Sequence, residues 1–222
     1  MSSTAAEIKK GILGIDEISS IPRISPKWFS YLIRSHYLKL IGLNLLVIFF
    51  SIPIITIPSA MCGMTNIILK LIKDERVEFW EVFFGEFKNN FLQRFLAWLI
   101  LILIPVSFYG YANILKPQNE HIIILIVLGC ISYAIQCYLF PIFVTVNIPV
   151  SAALKNAFLL VGIEWKTTLK MLLTSGVLIL LCFVFTLYAI PVVVVILFAL
   201  CQLINCIYSL EPIEHRLINH NL

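Results

Sequence analysis

The sequence predicts an all-α protein: a polytopic transmembrane helical bundle of about six spans, with interfacial helices on its cytoplasmic side. Composition is the first observation behind that reading. Of 222 residues, 60% are hydrophobic and 13% charged, and the mean hydropathy is +0.98; a soluble domain carries about 45–50% apolar and about 25% charged residues. The second is clustering, because no Asp, Glu, Lys or Arg occurs in 40–69, 95–115, 122–151 or 171–210. Each block offers the roughly 20 apolar residues that a helical span requires. The third is periodicity: the blocks are apolar all round, without the strict alternation of a membrane barrel. Backbone in lipid must close its own hydrogen bonds, and helices do so within one segment.

Taken in order, residues 1–24 read as a short amphipathic helix with Ile8, Ile12, Ile15 and Ile18 along one side. This segment lacks the apolar core and small-residue cleavage site of a signal peptide, so the first span is expected to serve as an uncleaved insertion signal. Ser25–Pro26 reads as an N-cap followed by proline in the first turn. Trp28, Phe29 and Tyr31 are expected at the membrane interface, where amphipathic aromatics collect. From Tyr37 to Ile72 the apolar run is too long for one span and slightly short for two. Pro53 and Pro58 divide it, and Ile54, Ile55, Thr56 and Ile57 between them favour extended backbone. The choice lies between one kinked span followed by a surface helix and a helical hairpin turning over at Pro53, Thr56 and Pro58.

Charge decides between them. With five spans the sixteen basic residues divide seven against nine. With the hairpin, every basic residue except Lys116 falls on one side, fifteen against one. Cytoplasmic loops retain Lys and Arg, so six spans are expected, with both termini cytoplasmic and an outer hairpin turn at Pro53, Thr56 and Pro58: about 37–55, 58–73, 95–114, 122–145, 171–188 and 191–209. Residues 1–36 then form a cytoplasmic or interfacial segment, 37–210 the transmembrane domain and 211–222 a cytoplasmic tail. The last two spans are joined near Tyr188–Pro191. Two cytoplasmic segments remain, 74–94 and 147–170. They share an echo, Phe87-Lys88-Asn89-Asn90-Phe91 against Leu154-Lys155-Asn156-Ala157-Phe158, which reads either as a duplicated unit or as two interfacial helices of similar design.

In 79–91, Trp80, Phe83, Phe84, Phe87 and Phe91 share one helical side, with Glu81, Glu86, Lys88 and Asn89 toward the other. That pattern suits a helix lying in the membrane interface. Its aromatic side is an anchor to lipid or to the bundle, or a docking face for a cytoplasmic partner. Within the spans no ionisable residue stands away from the ends, which counts against a proton-coupled pump. Asn44, Thr56, Thr65, Asn66, Gln136, Thr174, Gln202 and Asn205 are the polar residues of the spans, and such residues usually join helices by hydrogen bonds.

The six cysteines form no CxxC and have no His at ligand spacing, so neither a metal site nor a disulfide framework is expected. Asp74, Glu75, Glu78 and Glu81 alternate with Lys73 and Arg76, as in a solvated loop beside headgroups. His215 and His220 stand in a polar tail without ligand partners. HExxH, GxSxG and Walker signatures are absent. No catalytic, cofactor-binding or metal-binding residue is predicted, and no enzyme is expected. The net charge of +4 does not point to nucleic acid; the expected partner is the lipid bilayer.

Asn44-Leu45-Leu46, then Ser51 through Ile57 and Ala60–Met61, resemble the YesL-like family of bacterial membrane proteins. Phe83, Phe84, Phe87, Asn90 and Phe91 match that family's next element. Phe140–Pro141 and Ala153 through Phe158 look like its second half. The resemblance covers about 25–210. Pro58 stands where a glycine is common, and a first-span tryptophan is missing near Val47–Phe49, so the chain reads as a diverged member. The resemblance implies a bacterial plasma-membrane protein without established activity, often associated with carbohydrate uptake. It brings no catalytic residues.

Two functions are weighed on that basis. One is a non-enzymatic accessory component of a sugar transport system, docking through 79–92 and 151–166. The alternative is a permease-type transport subunit coupled to a cytoplasmic ATPase. Its coupling loop would need an acid and a glycine where this chain has Ser151-Ala152-Ala153 and Ala157. A membrane-embedded enzyme has only the polar residues of the spans in its favour.

Overall fold

The computed structural model describes residues 26–73, 77–115, 122–146, 148–184 and 197–218. Among them are eight α-helices and no strand: α1 Pro26–Phe50, α2 Ile57–Ile72, α3 Phe79–Lys88, α4 Phe91–Leu115, α5 Ile122–Thr145, α6 Val150–Ile163, α7 Trp165–Val184 and α8 Phe198–Ile213. A π-helical turn, Glu214–Ile218, continues α8. The expected helix in 1–24 and the turn near Tyr188–Pro191 lie outside the described residues. Among the described residues four stretches are long and apolar enough to cross a membrane: Leu32–Phe50, Ile54–Ile72, Phe91–Tyr111 and Ile122–Thr145.

The first apolar block is a helical hairpin. α1 kinks at His36, where φ is −122° and ψ 17°, and ends at Phe50, five residues before the predicted boundary. The expectation of extended backbone from Ile54 to Ile57 is corrected. Pro53 is extended, with ψ 115°, and Ile54–Thr56 form a turn of 3-10 helix. The reason is local: the Thr56 amide donates to the Pro53 carbonyl at 2.9 Å, and its hydroxyl donates to the carbonyls of Phe50 and Pro53. Pro58 then occupies the first turn of α2, where its missing N–H costs nothing.

Other boundaries differ less. α4 begins four residues before the predicted 95, because Asn90 adopts the left-handed conformation (φ 48°) and restarts the chain as helix. Asparagine tolerates that conformation better than most residues. α5 occupies 122–145 as expected, whereas α7 starts at Trp165 rather than 171. The echo between 87–91 and 154–158 is not a repeated element. Asn89 and Asn90 form a turn between two helices, while Asn156 and Ala157 lie inside α6.

Two apolar cores hold the bundle. The first joins α1, α2, α3 and most of α8 through residues such as Leu43, Met64, Ile68, Phe83 and Leu203. The second joins α4, α5, α6 and α7 through Leu101, Tyr138, Ile142, Ala157 and Met171, and receives Ile213 from α8. α8 therefore ties the cores together. The second half of α4 and the first half of α5 turn large apolar side chains outward, including Ile104, Tyr109, Ile123 and Ile126, as lipid-facing helices do.

Candidate functional site

α3 supplies the residues for which sequence predicted an interfacial or docking face, and it packs on α2 with its aromatic side divided. Phe83 is fully buried. Its ring lies so close to Gly63 that a Cβ there would meet Cδ2 at 2.9 Å and the Phe83 carbonyl oxygen at 3.2 Å. Phe50, the last residue of α1, packs against Phe83, Phe84 and Phe87 with ring centroids 5.3–5.8 Å apart. Phe91 is half-buried and follows Phe87 at 6.3 Å. Trp80 alone of the five is exposed, stacked on Phe84 at 5.9 Å. The buried side of α3 is thus centred on Phe83, rotated away from Trp80.

That rotation carries Glu86 inward, contrary to its expected place on the polar side. Its carboxylate pairs with Arg94, which is 2% exposed. Arg94 Nη1 also donates to the Glu86 carbonyl oxygen at 2.6 Å. The second carboxylate oxygen accepts from Asn66 Nδ2 of α2 at 3.0 Å. One carboxylate therefore binds α2, α3 and α4 to each other. The tight turn at Asn89 and Asn90 makes this possible, since it brings Arg94, in the first turn of α4, back to Glu86 near the end of α3. Arg94 Nε and Asn66 Oδ1 have no hydrogen-bond partner among the described residues, and Cys62 is buried nearby on α2. Sequence alone places Arg94 in a basic flank and Glu86 on a solvated face. The one signal it offers for their pairing is a spacing of eight residues across an Asn-Asn turn.

Asn44, Thr65, Gln202 and Asn205, among the polar residues expected in the spans, meet at α8. Asn44 Oδ1 accepts from the Ala199 amide at 2.9 Å, and Gln202 Nε2 donates to Thr65 Oγ1 at 2.7 Å. Asn205 accepts from Ser175 and donates to Tyr133, each at 3.2 Å. Nothing in the sequence pattern sets Ser175 and Tyr133 apart as members of this network. Thr174 turns back to the Lys170 carbonyl at 2.8 Å, and Gln136 is half-buried. Beside them, Tyr138 and Thr168 share a hydrogen bond of 3.1 Å between α5 and α7. Near the end of the chain Arg216 pairs with Glu164 at 3.2 Å.

At the loop edges, the Glu78 carboxyl is raised above the usual carboxylate range by sharing a hydrogen bond and like charge with Glu81. Glu214 is raised by partial burial, opposed by Lys73 and reinforced by Glu211. Among the described residues no group of His, Cys, Asp and Glu could hold a metal ion. Asp74, Glu75 and Arg76 of the predicted charged loop, and His220 of the tail, lie outside the described residues.

A family model described as a protein of unknown function, DUF624, matches residues 40–114. That segment holds the end of α1, the hairpin turn, α2, the aromatic helix and the whole Asn66–Glu86–Arg94 cluster. No curated protein and no solved structure matches the chain.

Proposed function

We propose that this chain is an integral protein of the bacterial plasma membrane, with both termini cytoplasmic, acting as a non-enzymatic accessory component of a carbohydrate-uptake system. One observation carries the non-enzymatic part. The polar side chains inside the bundle are largely spent on one another, as Gln202 on Thr65 and Asn205 on Ser175 and Tyr133. Such pairs join helices and leave few groups to polarise a substrate. The carbohydrate part follows from the resemblance to the YesL-like family.

Partner contact is assigned to what α3 and α6 leave outside. Trp80 on α3, and Phe158 and Trp165 on and just after α6, are 59–63% exposed, with Lys155 and Lys166 among the latter. The permease alternative is weaker. Ala153 and Ala157, which stand where a coupling loop is recognised, are both fully buried in the second core.

Affinity purification of the tagged protein from native membranes tests the proposal. A complete sugar importer in the eluate supports an accessory role, while an ATPase bound directly to this chain favours the permease reading. Deletion of the gene with unchanged uptake across a sugar panel removes both.

A further inference from the structure

We propose that the α1–α2 hairpin is re-entrant: it enters the bilayer and returns to the same face, with its tip, Ile52–Ile55, inside the hydrocarbon. This rests on the membrane reading above, and not on the sugar-transport reading.

Leg length is the first ground, since Leu32–Phe50 reaches spanning length only by including Arg34 and Lys39, and Ile54–Ile72 only by including Lys70. Lys39 on α1 is exposed, and Lys70 on α2 half-buried. Between these charges and the turn, the legs are Leu40–Phe50 and Ile57–Leu69. At a rise of 1.5 Å per residue they measure roughly 16 and 20 Å, against a hydrocarbon core of about 30 Å. The charge-free part of α4, from Phe95 to Leu115, measures about 31 Å by the same rule.

The tip itself is built for lipid. Phe49, Ile52, Ile54 and Ile55 are 66%, 74%, 68% and 51% exposed, and nothing charged stands among them. In water such side chains forfeit their burial; in hydrocarbon they do not. Most of the turn's backbone donors are met internally, as a turn at membrane depth requires, while the Ile54 and Ile55 amides have no backbone acceptor among the described residues. Ser51 and Ile52 donate to Val47 and Phe49, and Thr56 to Pro53. Ile57 donates to Ile54. Pro53 and Pro58 carry no donor, and the Thr56 hydroxyl covers the Phe50 and Pro53 carbonyls.

The neighbour of the tip is the third ground. Phe50 packs on three rings of α3, and α3 carries Glu81 and Lys88 exposed, with Glu78 exposed just before it. Six residues, 73–78, connect α2 to α3. Fully extended they reach about 20 Å, too little to cross a bilayer, so α3 belongs to the face of Lys70. Phe50 lies one ring contact from it. The excess of basic residues on one side is equally satisfied, because a hairpin that turns back inside the membrane also returns the chain to its starting face.

Single cysteines at Ile52 and Ile54, introduced into a variant with the six native cysteines replaced, test this in reconstituted vesicles and intact cells. Asn119→Cys serves as the externally labelled control. Recovery in the carbonate-washed membrane fraction is checked first, since its failure would overturn the membrane reading as well. The re-entrant hairpin predicts no labelling of either tip cysteine by a membrane-impermeant maleimide from either side. A fluorophore attached at the tip under denaturation and refolded into vesicles is then quenched strongly by lipids brominated deep in the acyl chain. Labelling from outside shows a hairpin that crosses completely. Labelling from inside shows one that never enters. Either result overturns the proposal, and because both side chains are exposed, loss of fold is not an expected outcome.

Discussion

Arg94 reaches back eight residues to hold Glu86 twice, once at its carboxylate and once at its backbone carbonyl, while Asn66 occupies the other carboxylate oxygen. Three helices meet at one buried acid. Breaking such a pair from one side leaves an uncompensated charge, which costs about 3–5 kcal/mol. Arg94→Met or Glu86→Gln alone is therefore expected to lower the unfolding temperature in detergent sharply. The Glu86→Leu/Arg94→Met double variant should lose much less than the two single losses combined. Additive losses in a double-mutant cycle would show that the two residues act independently.

Gly63 makes a second, purely steric prediction. Gly63→Ala places a methyl against both the Phe83 ring and its backbone carbonyl. The ring can tilt but the backbone cannot, so a loss of about 1–3 kcal/mol is expected. At Gly85, on α3 itself, a Cβ would meet nothing within 4 Å, and Gly85→Ala should be neutral or gain about 0.5–1 kcal/mol from helix propensity. Chemical denaturation of the two variants side by side distinguishes packing from propensity.

Thr56 closes the hairpin. Thr56→Val keeps the shape but removes the hydroxyl that covers two carbonyls, at a cost of about 1–3 kcal/mol. Thr56→Ser should retain most of the stability. Equal loss in both variants, measured by thermal aggregation, would assign the effect to the methyl group instead.

Glu214 gives a pH dependence. Burial, with Glu211 beside it and Lys73 opposing, raises its folded carboxyl above the ordinary value of 4.5. The folded state then holds the proton more tightly than the unfolded chain. Its contribution is fully present below the unfolded value and is lost as pH rises through the folded one. Glu214→Gln should therefore be more stable than the parent at neutral pH, with the difference shrinking on acidification. Unfolding temperatures of both proteins across a pH series check the sign.

Much of the fold was legible because a bilayer reduces the problem to one dimension. Runs of apolar residues, interrupted by proline and flanked by charge, located α5 at 122–145 to the residue and separated α1 from α2. Pro53, Thr56 and Pro58 marked the turn, although its backbone proved helical where branched side chains suggested extension. A hydroxyl that bonds two carbonyls of its own turn outweighs a weak propensity.

The sequence by itself determined that this protein is helical and apolar enough for a membrane, and where its helices break, since hydropathy and proline act locally. Only the tertiary structure decided which charges are buried. Glu86 and Arg94 look like solvated residues in sequence, because nothing local distinguishes a carboxylate facing water from one facing an arginine. Their burial follows from the rotation of α3 about Phe83, and that rotation is set by a glycine twenty residues earlier on a different helix.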